Sequence, residues 1–501
     1  MPIETPVSPG GFRWRLVFAA LGAIGMAIIY GLKVNLSVTI VAMINQTSRD
    51  AAGHAEGHES LAISDNGELA SDQCFDPFAK KNSSGKSEDG PFVWTEPEQG
   101  LVLGSYFWGY LITQIPGGRV AELFGGKWVF LVAVIMNIAG ACLSPLCARA
   151  GYEYMIIMRI IQGLGGGVTF PAMNVMVAKW APVAERSTIA SIVYGGTALG
   201  TVISIPTAGL IAGSLGWEWV FYLHGGLAAI WCALWVIFVT DTPDSHKFMS
   251  AAEKQFIQIS TGSGTKKKTP PVPWKSIVTS SAVWAIIISH TLNNFGWYML
   301  LVELPLFMRT GLGFNIKENA GLSALPFLCN WLFSIVYSNR LDWARHNGYI
   351  STTMARKLSM GIASVIPAAC LVGVCLSGCE KTAVVLLMII GTGFYGAMFA
   401  GVFSNHVDIA SNYAGVLMGI SNMAATIPGF AVPAFVGFLT HGETGTGPWH
   451  IVFYTTAGLL ALEFVLYSLL ASGEEQPWNT GNEAKDAESA EEDQHLAKPE
   501  E

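Results

Sequence analysis

Twelve stretches of this chain are apolar over enough residues to cross about 30 Å of hydrocarbon as helices. They are centred near Gly25, Tyr110, Ala139, Gly165, Gly200, Ala228, Ser289, Phe327, Val365, Ile390, Ala424 and Leu460. Six precede the interval 241–277 and six follow it, and that interval contains TGSGTKKKTPPVP, which reads as a polar, Pro-rich linker. The pattern predicts an all-α membrane protein of twelve transmembrane helices in two six-helix halves, related by an axis along the membrane normal. It divides the chain into an N-terminus 1–12, a first half 13–240 with a long outer loop 45–96, a central loop 241–277, a second half 278–471 and a tail 472–501.

Composition agrees with this pattern, since 51% of the 501 residues are hydrophobic and only 13% are charged. The net charge of −8 says little about partners, because much of it comes from the tail after Ser472, which reads as solvated and disordered. The first apolar stretch is too long for a signal-peptide core and is expected to stay as a span. No nucleic-acid partner is implied. The eight cysteines show no paired metal-ligand spacing, so no metal site is expected and most read as small buried hydrophobes.

Placing both termini in the cytoplasm puts eighteen Lys and Arg inside and eight outside, with two in the membrane. The positive-inside rule favours that orientation. The outer loop then carries glycosylation sequons at Asn45 and Asn82, Asn82 being the better acceptor.

The two basic residues within spans are Lys33, in MAIIYGLKVNLSVTIVAM, and Arg159, in YMIIMRIIQGLGGGVTF. A charge is costly in lipid and is a functional-site hypothesis by default, and two cations point to an anion handled inside the bilayer. Neutral donors that could complete the site are Asn35, Ser37, Tyr106, Gln114, Asn293, Asn294 and Tyr298. Candidates for binding a coupling ion are Glu303, the first choice, then His290, His406 and Asp408. Capping or gating is the stronger reading for His406 and Asp408, and His224 reads as a packing residue.

Glycine clusters at 163–167 and 195–200 allow helices to approach closely. Pro206, Pro428 and Pro433 interrupt the fifth and eleventh spans, equivalent places in the two halves and a pointer to the transport pathway. The turn GGRVAELFGGK brings together Gly117, Gly118, Arg119, Glu122, Gly125, Gly126 and Lys127 as a conformational-switch loop whose charges can pair at neighbouring helix ends. It resembles the signature loop of the major facilitator superfamily. SNRLDWARHNG, after the eighth span, is its weaker counterpart.

A closer resemblance covers roughly Lys33 to Trp478. EQGLVLGSYFWGYLITQIPGG, QGLGGGVTFPAMNVMVAKWAPVAERS, TALGTVISIPTAGLI, SNHVDIASNYAGVLMGISNMAATIPG and ASGEEQPW are similar to the anion/cation symporter family, which contains sialin, the vesicular glutamate transporters and the sodium-phosphate cotransporters. The resemblance implies alternating-access transport of organic or inorganic anions driven by a proton, sodium or voltage gradient, with no cofactor beyond the co-transported ion. Lys33 stands at the family's first-helix Arg, and Arg159 matches its fourth-helix Arg. Gly166 and Gln162 stand where sialin-like members carry membrane Glu, and Asn174 replaces a common His. Leu103 and Asn293 replace a His and an Arg of the glutamate carriers, which places the chain nearer sialin-like and phosphate-cotransporter-like members.

The expectation is therefore a cation-coupled symporter of phosphate or sialic acid-like anions, acting as a monomer in the lipid bilayer, with the plasma membrane favoured over a lysosomal or vesicular one. A voltage-driven uniporter or exchanger, or a non-transporting receptor, is the alternative. No filter-like repeat marks a channel, and no clustered nucleophile, base or metal-ligand set marks an enzyme.

Overall fold

The computed structural model describes residues 13–45, 90–261, 271–304, 307, 308, 312, 316–440 and 446–479. Asn82 and residues 480–501 of the tail lie outside them. Twelve long helical segments run through the described residues. In the first half these are α1 (Trp14–Met43), α2 (Glu96–Phe124), α3 (Gly126–Ala150), α4 (Tyr152–Gly167, resuming as Thr169–Trp180), α5 (Arg186–Leu215) and α6 (Trp217–Phe238). In the second half, α7 (Ser281–Tyr298) continues as a π-helical turn Met299–Glu303 and is followed by α8 (Ile316–His346) and α9 (Thr352–Leu376). α10 runs Lys381–Phe394 and resumes as Val402–Ile409, α11 runs Ala414–Thr426 and resumes as Pro428–Thr440, and α12 is Gly447–Leu470.

Nine of the twelve are long and apolar enough to cross a membrane by themselves. The other three are α2, α7 and α8, of which α7 loses regular α-helix at its π turn. Large apolar side chains such as Leu210, Phe438 and Leu469 stay exposed on the outside of the bundle, where lipid is their solvent.

Local chemistry explains several helix ends. Thr95 and Glu98 form a capping box at the start of α2, Thr95 Oγ1 accepting from Glu98 N at 3.5 Å and Glu98 Oε2 from Thr95 N at 2.7 Å. Gly125, at φ +96°, makes the turn into α3. Proline acts unequally in the two halves: α5 runs unbroken through Pro206, whereas α11 breaks between Thr426 and Pro428. The expected matched pair of interruptions is therefore a break in one half only.

Helices α1–α6 pack on one another, chiefly α1 on α5 and α2 on α4, and α7–α12 do likewise, with α12 against α9 and α7. The two groups meet along two seams, α2 with α11 and α5 with α8. All helix ends next to Gly117–Lys127, Arg186, Arg345 and Arg356 lie at one end of the bundle, called here the basic end; the opposite one is the distal end.

At the basic end the seams are joined by a reciprocal device. Glu122, at the end of α2, pairs with Arg119 at 3.1 Å and accepts Val416 N at 3.0 Å, in the first turn of α11. Asp342, at the end of α8, pairs with Arg345 at 3.1 Å and accepts Thr188 N at 2.7 Å, in the first turn of α5. Each acid thus sits on the unsatisfied N–H groups and positive dipole end of a helix in the other half. Lys127 departs from the expected charge pairing: its Nζ donates to Val236 O at 3.2 Å, at the carbonyl end of α6, and Asp241 is held by Lys179 at 2.7 Å instead.

Two segments expected to be unstructured carry order. Residues Ala251–Thr261 of the central loop form a helix that buries Phe256 and Ile257, and Glu253 there receives Arg15 at 2.9 Å. Residues 472–479 of the tail dock on the basic end, with Gln476 N donating to Ile409 O at 2.8 Å and Trp478 beside Tyr413. In both cases the segment offers apolar groups and backbone partners to helix ends that lack them, which outweighs its polar composition.

Candidate functional site

Lys33 projects from α1 into a cage of aromatic rings. Its Nζ lies 4.4 Å from the ring centre of Phe107, 5.2 Å from those of Tyr30 and Tyr110, 5.6 Å from that of Tyr106 and 5.8 Å from that of Tyr298. Ring faces attract a cation, and more strongly when water is excluded. No carboxylate pairs with Lys33 among the described residues. The cage lowers the cost of holding the ammonium without neutralising it.

Arg159 on α4 is buried beside the same group. Its Nη1 donates to Gln162 Oε1 at 3.1 Å and its Nη2 to the carbonyl oxygen of Lys33 at 3.1 Å, and Nε has no partner. Its guanidinium carbon stands 4.8 Å from the ring centre of Tyr106, so one ring faces both cations. Tyr106 Oη is buried and also unpartnered. An N–H and an O–H without protein partners beside two cations make an arrangement that an anion's oxygens would complete.

Gly166 explains why Tyr106 stands there. A Cβ built on Gly166 would collide with Tyr106 Oη. The phenol occupies the space into which a side chain at 166 would grow, and Gln162 supplies a neutral acceptor to Arg159. Neither position carries a carboxylate, and no acid pairs with Arg159 among the described residues.

Of the expected substrate residues, Lys33, Arg159, Tyr106 and Tyr298 come together. Asn35 does not: two residues along an α-helix is a turn of about 200°, and Asn35 Nδ2 meets His224 Nδ1 at 3.5 Å on the far face of α1. Ser37 is exposed and bonds Val34 O. Asn294 Nδ2 donates to Ala425 O at 3.0 Å, fastening α7 to α11. Asn293 lies on the side of α7 that carries Ser289 and Trp297, and both its amide atoms are buried without partners. Gln114 joins the seam instead, donating to Thr426 Oγ1 at 2.9 Å and accepting Asn422 Nδ2 at 2.7 Å. Tyr30, Phe107 and Tyr110 were missed, although Tyr30 precedes Lys33 by one helical turn and Tyr106 and Tyr110 are spaced i, i+4.

The candidate coupling residues fall into three places. Glu303 is buried on the π turn after α7, with no hydrogen bond or ion pair among the described residues. His290 Nδ1 and His406 Nε2 share Ser421 Oγ, at 3.1 and 2.7 Å, and each leaves its other ring nitrogen unpartnered. Asp408 bridges the halves, taking Arg186 Nη1 at 2.8 Å and Arg356 Nε at 2.6 Å. In the switch loop, Gly118 lets α2 touch the backbone at Gly415, where a Cβ would collide. His224, read as a packing residue, bonds Asn35 and Thr207. Asn45 sits at the end of α1, its N–H donating to Phe92 O at 2.8 Å.

Comparison with known proteins agrees with this architecture. The sequence profile of the Major Facilitator Superfamily matches residues 23–433. Sialin of Homo sapiens is 37% identical over 488 residues, covering 95% of this chain and 94% of that one. A putative inorganic phosphate cotransporter of Drosophila melanogaster is 35% identical, covering 93% and 87%, and vesicular glutamate transporter 1 of Bos taurus is 32% identical, covering 93% and 79%. Among solved structures, the proton:xylose symporter XylE superposes with a TM-score of 0.64 at 14% identity, covering 92% of this chain and 97% of that one. The human organic anion transporter MFSD10 superposes with a TM-score of 0.58 at 14% identity, covering 90% and 99%; both show a shared fold. With its profile match across most of the chain and relatives of this similarity over almost their full length, the chain belongs to the major facilitator superfamily, in the family of sialin, the inorganic phosphate cotransporters and the vesicular glutamate transporters.

Proposed function

We propose that this protein is a secondary active transporter of a small organic or inorganic anion, working by alternating access with a co-transported sodium ion or proton. The observation that carries the reading is the pair Lys33, half-buried, and Arg159, buried, set among aromatic rings with no acid beside them among the described residues. An anion entering this space is attracted by two charges, receives N–H and O–H donors that lack partners, and meets no repelling carboxylate. Its negative charge reduces the net positive charge that the closed cage holds in the bilayer, and occupancy thereby lowers the barrier to rocking the halves.

The basic end is the cytoplasmic one in this reading, and the membrane is the plasma membrane. A disulfide bond at Cys379, on the distal side between α9 and α10, fits an oxidising outer or lumenal face. Asn45 and Asn82 are glycan acceptors on that side. The protein works as a monomer. Glu303 and the His290–Ser421–His406 group are among the candidate sites for the co-transported ion, while Asp408 holds the cytoplasmic side closed.

The test is uptake by purified protein in liposomes of inorganic phosphate, glutamate and N-acetylneuraminate under separately imposed proton, sodium and voltage gradients. Accumulation of one of them that Arg159→Ala abolishes is the expected result. Transport unaffected by Arg159→Ala sinks the assignment of the site.

A further inference from the structure

Glu463 is the one acid in the apolar run LLALEFVLYSLL of α12, and it is fully buried. Its carboxylate accepts the hydroxyls of Ser289, on α7, and Ser364, on α9. No cation pairs with it among the described residues. Two phenols, Tyr395 after the first part of α10 and Tyr467 on α12 itself, are within its electrostatic reach. Of the charged and titratable groups on the flanking helices, His290 on α7 bonds Ser421 and Arg356 on α9 pairs with Asp408, while Glu303 lies about four turns beyond Ser289 at the π turn that ends α7. Tyr467 Oη accepts Asn405 Nδ2 at 2.9 Å.

Tyr395 Oη is buried and unpartnered, and it stands so close to the backbone of α7 at Gly296 that a Cβ there would collide with it. Asn293, with both amide atoms unpartnered, lies on the same side of α7 as Ser289, one turn along. A carboxylate, two hydroxyls, a phenol and a free amide therefore converge on one side of α7. The neighbouring flank of that helix, about 100° round, packs through His290, Asn294 and Tyr298 on Ser421, Ala425 and Gly429 of α11, and Tyr298 reaches the Lys33 cage.

We infer that Glu463 is a proton-binding site that couples transport to a proton, acting on the anion site through α7. An isolated charge in this position is costly, so the carboxylate is tolerated only while a proton neutralises it or water reaches it. A proton taken from water on one side forms the O–H bond of the acid, and loss of that proton to water on the other side breaks it; no other bond changes. Two serine hydroxyls already occupy the carboxylate oxygens, an arrangement suited to a proton rather than to a sodium ion, which needs several oxygens around an open centre. The ionised acid recruits donors from α7 and α9, and the neutral acid releases them. The π turn at Met299–Glu303 supplies a place for α7 to flex.

The transport arm of the test rests on the anion-carrier reading; a spectroscopic arm does not. Infrared difference spectra of the full chain in liposomes after a pH step are expected to show a protonated-carboxyl band that Glu463→Gln removes and Glu463→Asp shifts. With one proton per anion, a gradient of about one pH unit sustains about tenfold accumulation. Glu463→Gln is expected to abolish that accumulation for whichever of phosphate, glutamate or N-acetylneuraminate the wild type carries, while keeping gradient-free exchange of the same probe. A band that persists in Glu463→Gln overturns the inference, as does accumulation that matches wild type or is driven by sodium alone. If Glu463→Gln does not fold, an unshifted band in Glu463→Asp overturns it. Wild-type protein that carries none of the three anions counts against the anion reading, and the infrared band then decides Glu463 alone.

Discussion

At Gly166 a single missing side chain decides what surrounds Arg159. The Tyr106 phenol fills the place where a carbon at 166 would stand, and its unpartnered hydroxyl lies among the cations. Gly166→Ala should push that ring out of the cage and lower uptake, and Tyr106→Phe, which removes the colliding oxygen, should restore part of it in the double variant. A double-mutant cycle on initial uptake rates measures the coupling, and additive effects would contradict the packing account. At Lys33, the ammonium is a point charge lodged among rings, whereas a guanidinium is planar and needs partners for its fork. Lys33→Arg should therefore retain transport with altered selectivity between planar carboxylates and tetrahedral phosphate, and Lys33→Ala should lose it, both read from competition among labelled anions.

Helix ends supply the next level of control. Glu122 on the start of α11 and Asp342 on the start of α5 are the same contact made twice, once from each half. Between them Asp408 holds Arg186 and Arg356, both buried, and Arg356 also donates to Ser187 Oγ at 2.7 Å. Removing one member of a buried ion pair costs about 3–5 kcal/mol, because its partner is left uncompensated. Asp408→Asn should therefore lower the melting temperature in detergent and make thiols placed at the basic end react faster with a water-soluble maleimide. Unchanged labelling rates would show that this cluster does not hold the seam. Part of this was legible in the sequence: the GGRVAELFGGK loop and its weaker echo SNRLDWARHNG marked both ends of the device. The partner of each acid was not, since Val416 lies 294 residues from Glu122 and only folding brings them together.

Among the described residues, the cross-half hydrogen bonds run from the basic end to the level of Tyr110, Gln114 and Thr426, and the aromatic pair Phe107 and Tyr298 also meets across the halves, nearer the distal end. The basic end is closed in this conformation. On the α5–α8 seam, Ser191 Oγ and Ser338 Oγ are 2.5 Å apart. Cysteines at both positions should cross-link on oxidation and stop uptake, and a reductant should restore it; transport that continues through the cross-link would rule out rocking along this seam.

Reading along the chain was enough for the class of protein, the number and division of its spans, the family and the two membrane cations. Each of these rests on local composition or on a motif contiguous in the chain, where the cost of placing a polar group in lipid acts one segment at a time. The same rule applied to α12 would have found Glu463. Tertiary structure decided which polar groups share a space. It set Asn35 and Lys33 on opposite faces of one helix, turned Asn294 and Gln114 into fasteners between helices, and gathered Tyr30, Tyr106, Phe107, Tyr110 and Tyr298 from three helices around one ammonium. Helix rotation and the pairing of distant segments fix those relations, and neither is written in any single stretch of residues.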